Sequence, residues 1–193
     1  YNQASALNNG GAQTVRDFLV YESALTDKLV PALAVFDADH TAFEGLGVDG
    51  MSVGGTVTTT GLFSASITQL ILRETGKITF DASYNDTGVA LAGGIVGDAT
   101  DNGLTVAAGA TLKTNIDMGD GFDTVTVASG GTIDVDDIIL GAGGNTLTNS
   151  GSITVDTTTI TGGAGVDTIT NNTGATITGH IELFAGADII TND

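Results

Sequence analysis

Five polar residues, Asn102, Asp123, Asn145, Asp167 and Asp188, recur along the second half of the chain at intervals of 21, 22, 22 and 21 residues. Three of them close glycine-rich turns, M-G-D-G-F-D at 118–123, G-G-A-G-V-D at 162–167 and L-F-A-G-A-D at 183–188. Carboxylates repeated at one place in stacked units have two chemical uses. Stacking would bring the Asp167 and Asp188 side chains to about 4.8 Å. Their repulsion there is about 1 kcal/mol in water and roughly 3.5 kcal/mol at an effective dielectric of 20, which a cation between them would relieve. Alternatively, each carboxylate accepts N–H groups of the turn, as Asx turns do. Asparagine at two of the five anchors fits the second use, because it caps a turn as well as aspartate does but is a weaker ligand for a hard cation.

Other chemistry has less to work with. A glycosidase requires paired carboxylates, one of them with a raised pKa. Asp134, Asp136 and Asp137 form the densest acidic group, and such a group on a soluble repeat protein reads as a solvated face. His40 and His180 are solitary, in neither a metal-ligand nor a triad spacing. A lyase acting on polyanionic sugars needs a basic groove, yet from Ile78 onward Lys113 is the only lysine or arginine. No catalytic residue and no enzymatic activity are therefore expected. The net charge of −18, from 23 acidic against 5 basic residues, excludes nucleic-acid and anionic-membrane surfaces, which need clustered Lys and Arg. With no cysteine, disulfide frameworks and thiolate metal sites are absent.

The elements that would position the anchors are legible from three apolar columns. Seven residues before each anchor stands an isoleucine: Ile95, Ile116, Ile138, Ile160 and Ile181. Two residues after come Leu104, Val125, Leu147, Ile169 and Ile190, alternating with Thr and Asn, and a period of two means strand. A looser column runs through Leu91, Leu112, Ile133, Ile153 and Ile177. Three short strands per unit of about 22 residues, each with an inward aliphatic, describe an all-β parallel β-helix (β-solenoid) whose rungs must stack to bury a core. Those columns also argue against disorder, the rival reading of so acidic a chain.

The first third differs. Val15, Phe18, Leu19, Leu25 and Leu29 have helical spacing, and Pro31 should end that helix. The organisation expected is a helical capping or docking segment over 1–50, an irregular first part of the solenoid over 51–84, and regular repeats over 85–193 that continue beyond it. A capping helix would shield the strand edges of the first rung from pairing with another chain. The repeated T-x-T of Thr124 and Thr126, Thr146 and Thr148, and Thr168 and Thr170 would form a threonine lattice of the kind that binds ice, although threonine is also a favoured outward strand residue.

The glycine-rich turns resemble the G-G-x-G-x-D-x-U-x nonapeptide of RTX calcium-binding proteins. That resemblance implies calcium held by turn carbonyls and by Asp123, Asp167 and Asp188. Its pattern departs from the family in having one turn per rung, and in the G-D-A-T-D-N turn at Asn102, which lacks the central glycine. The cadence N-N-T-G-A-T-I-T-G-H-I-E-L-F-A-G-A-D-I-I-T-N at 171–192, with N-S-G-S-I-T-V at 149–155, resembles the repeats of bacterial autotransporter passengers and related secreted adhesins. This implies a right-handed β-helix, an extracellular or cell-surface location, and an adhesive or stalk role whose partners are other protomers or host-surface ligands. Acidic S-layer and filament proteins have similar sequences. They imply a self-assembling, calcium-dependent subunit as the alternative.

Overall fold

The computed structural model describes residues 50–58, 69–81 and 93–193. The helix expected over Thr14–Val30, with His40 and Leu91, lies outside the described residues. What is described is an all-β parallel solenoid.

Its strands, in chain order, are β1 (Gly50–Val53), β2 (Thr56–Thr58), β3 (Gln69–Leu72), β4 (Lys77–Phe80), β5 (Ile95–Val96), β6 (Gly103–Val106), β7 (Thr111–Leu112) and β8 (Ile116–Asp117). There follow β9 (Thr124–Val127), β10 (Thr132–Val135), β11 (Ile138–Ile139), β12 (Thr146–Asn149), β13 (Ser152–Ala164), β14 (Thr168–Asn171), β15 (Thr176–Ala185) and β16 (Ile189–Asn192). Every pairing is parallel and joins a strand to its counterpart one rung away, so the three sequence columns become three stacks of strands. The first runs β1-β3-β5-β8-β11 and on through the second halves of β13 and β15. The second runs β2-β4-β6-β9-β12-β14-β16. The third runs β7-β10 and through the first halves of β13 and β15.

Alternation explains each strand. In T-L-T-N of β12 and T-I-T-N of β14 the second and fourth residues are buried and the threonines half-buried, as β-branched residues with one face inward require. Ile95, Ile116, Ile138 and Ile160 register one on another, at most 1% exposed. Leu104, Val125, Leu147 and Ile169 do the same. Leu112, Ile133 and Ile153 complete the core from the third stack. The columns extend further back than the repeat period reveals. Leu70 pairs with Ile95 and Ile78 with Leu104, so β3 and β4 lie in the same stacks as the regular repeats.

Corners absorb differences in rung length. Between Thr154 and Thr159 the register of β13 against β15 shifts, and the columns on either side stay aligned. Ile181 and Ile177 are partly buried against the core, while Ile190, in the last strand of the second stack, is 57% exposed.

Candidate functional site

The five anchors all stand where a turn enters the second stack, and they form one continuous hydrogen-bonded ladder. The Asn102 N–H donates to Asp123 Oδ1 at 2.7 Å, and the Asp123 N–H to Asn145 Oδ1 at 3.0 Å. The Asn145 N–H donates to Asp167 Oδ1 at 2.9 Å, and the Asp167 N–H to Asp188 Oδ1 at 3.0 Å. Asp123, Asn145, Asp167 and Asp188 thus each cap the backbone of the rung before, while Asn102 Oδ1 accepts the Asp98 N–H of its own turn at 3.0 Å. Asn102, Asp123, Asn145 and Asp167 are all buried, and a buried polar group of this kind is tolerated only with partners.

Glycine makes the turns stackable. Gly141 has φ of +85°, and a Cβ there would lie 1.5 Å from the Gly119 carbonyl oxygen. Gly143 has φ of +127° and would meet Gly121 O at 1.7 Å. Only a residue without a side chain permits both the backbone angle and the approach. The turns then bond to one another: Gly121 N–H donates to Ala142 O, Gly143 N–H to Ala164 O and Gly165 N–H to Ala185 O, at 2.8 to 2.9 Å.

The second side-chain atom distinguishes the anchors. Asn145 Nδ2 donates to the Gly141 carbonyl at 3.0 Å, and Asn102 Nδ2 to the Glu74 carbonyl at 3.1 Å. Asp167 Oδ2 accepts from the Gly163 N–H at 3.3 Å. Asp123 Oδ2 is buried and has no hydrogen-bond partner. The Gly119 N–H, four residues before it, goes instead to Asp117 Oδ1 at 3.1 Å. Burial pushes the Asp123 carboxyl up to about 7, against the pull of the Asn102 N–H and with further upward pressure from Asp101, Asp98 and Asp120.

Asp98 behaves in the opposite way. Burial alone would raise it, but hydrogen bonds from the Thr100 side chain, the Glu74 and Thr100 backbone N–H groups and the Asn102 side chain hold it below the usual carboxylate value. Its Oδ2 receives the Glu74 N–H at 2.8 Å and its Oδ1 the Thr100 N–H at 3.0 Å. Asp101 Oδ1 accepts the Phe122 N–H of the next turn at 3.0 Å.

The ladder therefore brings Asp123, Asp167 and Asp188 into one file, with each Oδ1 accepting an N–H of the previous rung. Calcium requires six to eight oxygens converging on a point. Here the carbonyl oxygens of Ala142, Ala164 and Ala185 accept turn N–H groups. Among the described residues no three His, Cys, Asp or Glu side chains gather in a way that could hold a metal ion. The alternation of Asn and Asp is what this capping geometry tolerates, because both supply an Oδ1 acceptor.

The remaining candidates separate. Lys113 pairs with Asp134 at 3.4 Å, both side chains being more than a third exposed. The Asp136 N–H donates to Asn115 Oδ1 at 3.2 Å. Replacing Lys113 with alanine is expected to shift the melting free energy by less than about 0.5 kcal/mol, as for other exposed ion pairs, which thermal unfolding followed by circular dichroism will show. His180 is exposed on β15, in register with Thr159.

A second ladder was not singled out from sequence. Asn149 Nδ2 donates to Asn171 Oδ1 at 2.8 Å, and Asn171 Nδ2 to Asn192 Oδ1 at 2.7 Å. These residues recur at 22 and 21 positions, the same period as the anchors, and that shared spacing was the available signal. Among the described residues no helix is long and apolar enough to cross a membrane. Comparison with known protein families, with curated proteins and with solved structures finds no match to this chain.

Proposed function

We propose that this chain is a non-enzymatic structural module of a bacterial surface protein, a right-handed β-helical stalk or passenger segment that holds an adhesive region away from the cell. The observation that carries this reading is the continuity of the second stack. Seven strands pair in parallel without a register shift, and a rise of about 4.8 Å per strand makes this a rod whose length is set by rung number. Buried asparagine and aspartate ladders along its length add directional bonds to the apolar core, which suits an element that transmits load along its axis. The acidic, cysteine-free composition is compatible with an extracellular location and keeps neighbouring rods apart by repulsion.

Negative-stain electron microscopy of the purified chain, with millimolar calcium and again with chelator, tests this. Separate rods under both conditions are the expected result. Sheets or filaments that form only with calcium would replace this reading with that of a self-assembling layer, with Asp123, Asp167 and Asp188 as ion ligands.

A further inference from the structure

The second stack presents two outward columns, and one of them is a single residue type. Thr58, Thr79, Thr105, Thr126, Thr148, Thr170 and Thr191 register in succession across all seven strands. Two residues earlier on the same strands stand Thr56, Lys77, Gly103, Thr124, Thr146, Thr168 and Ile189. Thr124, Thr146 and Thr168 therefore widen the column into a two-column array on three adjacent rungs.

Threonine is a favoured strand residue, so the array needs a control, and the fold supplies one. The outward column of the first stack passes through Ile71, Val96, Asp117, Ile139, Thr161 and Glu182 on the same rungs. Six successive positions there hold five residue types, aliphatic, hydroxyl and acidic. An outward strand position in this solenoid thus accepts nearly anything, while the threonine column has admitted no substitution. Rung packing does not account for the difference, because both columns stack at the same spacing.

A second observation concerns charge. The chain carries 23 acidic residues, and none of the fourteen outward positions of the second stack is acidic. Asp117 and Glu182 face outward on the first stack and Asp134 on the third. A solvated face of so acidic a protein would be expected to share in that charge. This face carries no acid, one charge in Lys77, and threonine at eleven of its fourteen outward positions.

A ligand that selects one residue at every rung must itself repeat at the rung spacing. The array offers hydroxyl and methyl pairs about 4.8 Å apart along the axis and about 6.6 Å apart along each strand. The axial distance is close to an oxygen repeat in hexagonal ice. Threonine is stiff at χ1, so the array is ordered before binding and little entropy is lost in contact. A glycan is the other repeating neutral ligand, but glycan sites use aromatic platforms and convergent polar groups. Neither outward column contains an aromatic residue or an amide side chain. From these observations we infer that the threonine face of the second stack binds an ordered water lattice, that of ice, as a site distinct from the anchor ladder.

Slow growth of ice in a solution of the purified chain tests the inference by measuring how much protein enters the ice. The parent chain is expected to be enriched in the ice fraction and to slow ice recrystallisation. Thr148→Tyr, which places a ring in the middle of the array, is expected to lose most of that enrichment. Thr161→Tyr, outward on the first stack, should retain it, and circular dichroism checks that both variants fold. Exclusion of the parent chain from ice would overturn the inference. So would equal behaviour of the two variants, or pelleting of the parent with microcrystalline cellulose that Thr148→Tyr abolishes, which would make the face a glycan site.

Discussion

Replacing Ile138 with aspartate is expected to destabilise the chain by more than about 4 kcal/mol, because it buries a charge with no partner. Ile138 is fully buried, in register between Ile116 and Ile160. The control is its neighbour. Ile139 sits on the same strand with its side chain outward and half-buried, so Ile139→Asp should cost about 1 kcal/mol or less. Urea unfolding followed by circular dichroism reads both. A lower midpoint for Ile139→Asp than for Ile138→Asp would mean that the strand is placed one residue out of register, since a slip of one exchanges the faces.

Asp123→Asn should stabilise the protein at pH 8, and less so at pH 5. The folded-state carboxyl titrates at about 7, above the roughly 3.9 of an unfolded aspartate. Between those values the folded state holds the proton and the unfolded state does not, so stability falls as pH rises from about 4 to about 7 and levels off above it. The protonated carboxyl resembles asparagine, with one acceptor and one donor. Asn145 shows the arrangement available to such a residue, its Oδ1 accepting from the previous rung and its Nδ2 donating to the carbonyl four residues back. At pH 8 the parent must instead keep Asp123 Oδ2 buried without a hydrogen bond, next to Asp101, Asp98 and Asp120. A gain of about 1–3 kcal/mol at pH 8 is expected, below the full linkage value because of solvent screening near the surface. Melting curves of both proteins across this pH range measure it. A parent chain as stable at pH 8 as at pH 5 would contradict the raised pKa.

The apolar columns were legible in the sequence because burial imposes a period on residue type. Ile116, Ile138 and Ile160 could be aligned by counting, and the structure places them in one stack. The relation of Leu70 to Ile95 was not visible that way, because 25 residues separate them and the regular rungs use 21 or 22. Strand pairing preserves the column through a longer connection that counting cannot follow. The anchors were legible as residues but not in their direction. Reading them as caps of their own turns was the natural inference from local chemistry. The bond from the Asn102 N–H to Asp123 Oδ1 spans 21 residues and exists only once two rungs have stacked. The orphan Oδ2 of Asp123 was likewise beyond sequence reasoning, because it depends on Asp117 having taken the Gly119 N–H.

The anchor ladder has a polarity. The Oδ1 atoms of Asp123, Asn145, Asp167 and Asp188 each reach back to the N–H of the preceding rung, and none of the four reaches forward, while Asn102 Oδ1 accepts the Asp98 N–H of its own turn. A rung is therefore finished by residues that follow it in the chain, and an anchor substitution injures its predecessor as well as its own turn. Removing the Asp167 side chain would leave the Asn145 N–H without its acceptor, while the Asp167 N–H would still bond to Asp188. Loosening should then spread toward the start of the chain. During synthesis the same one-way dependence makes every completed rung a template awaiting its closure from the next, like the teeth of a ratchet.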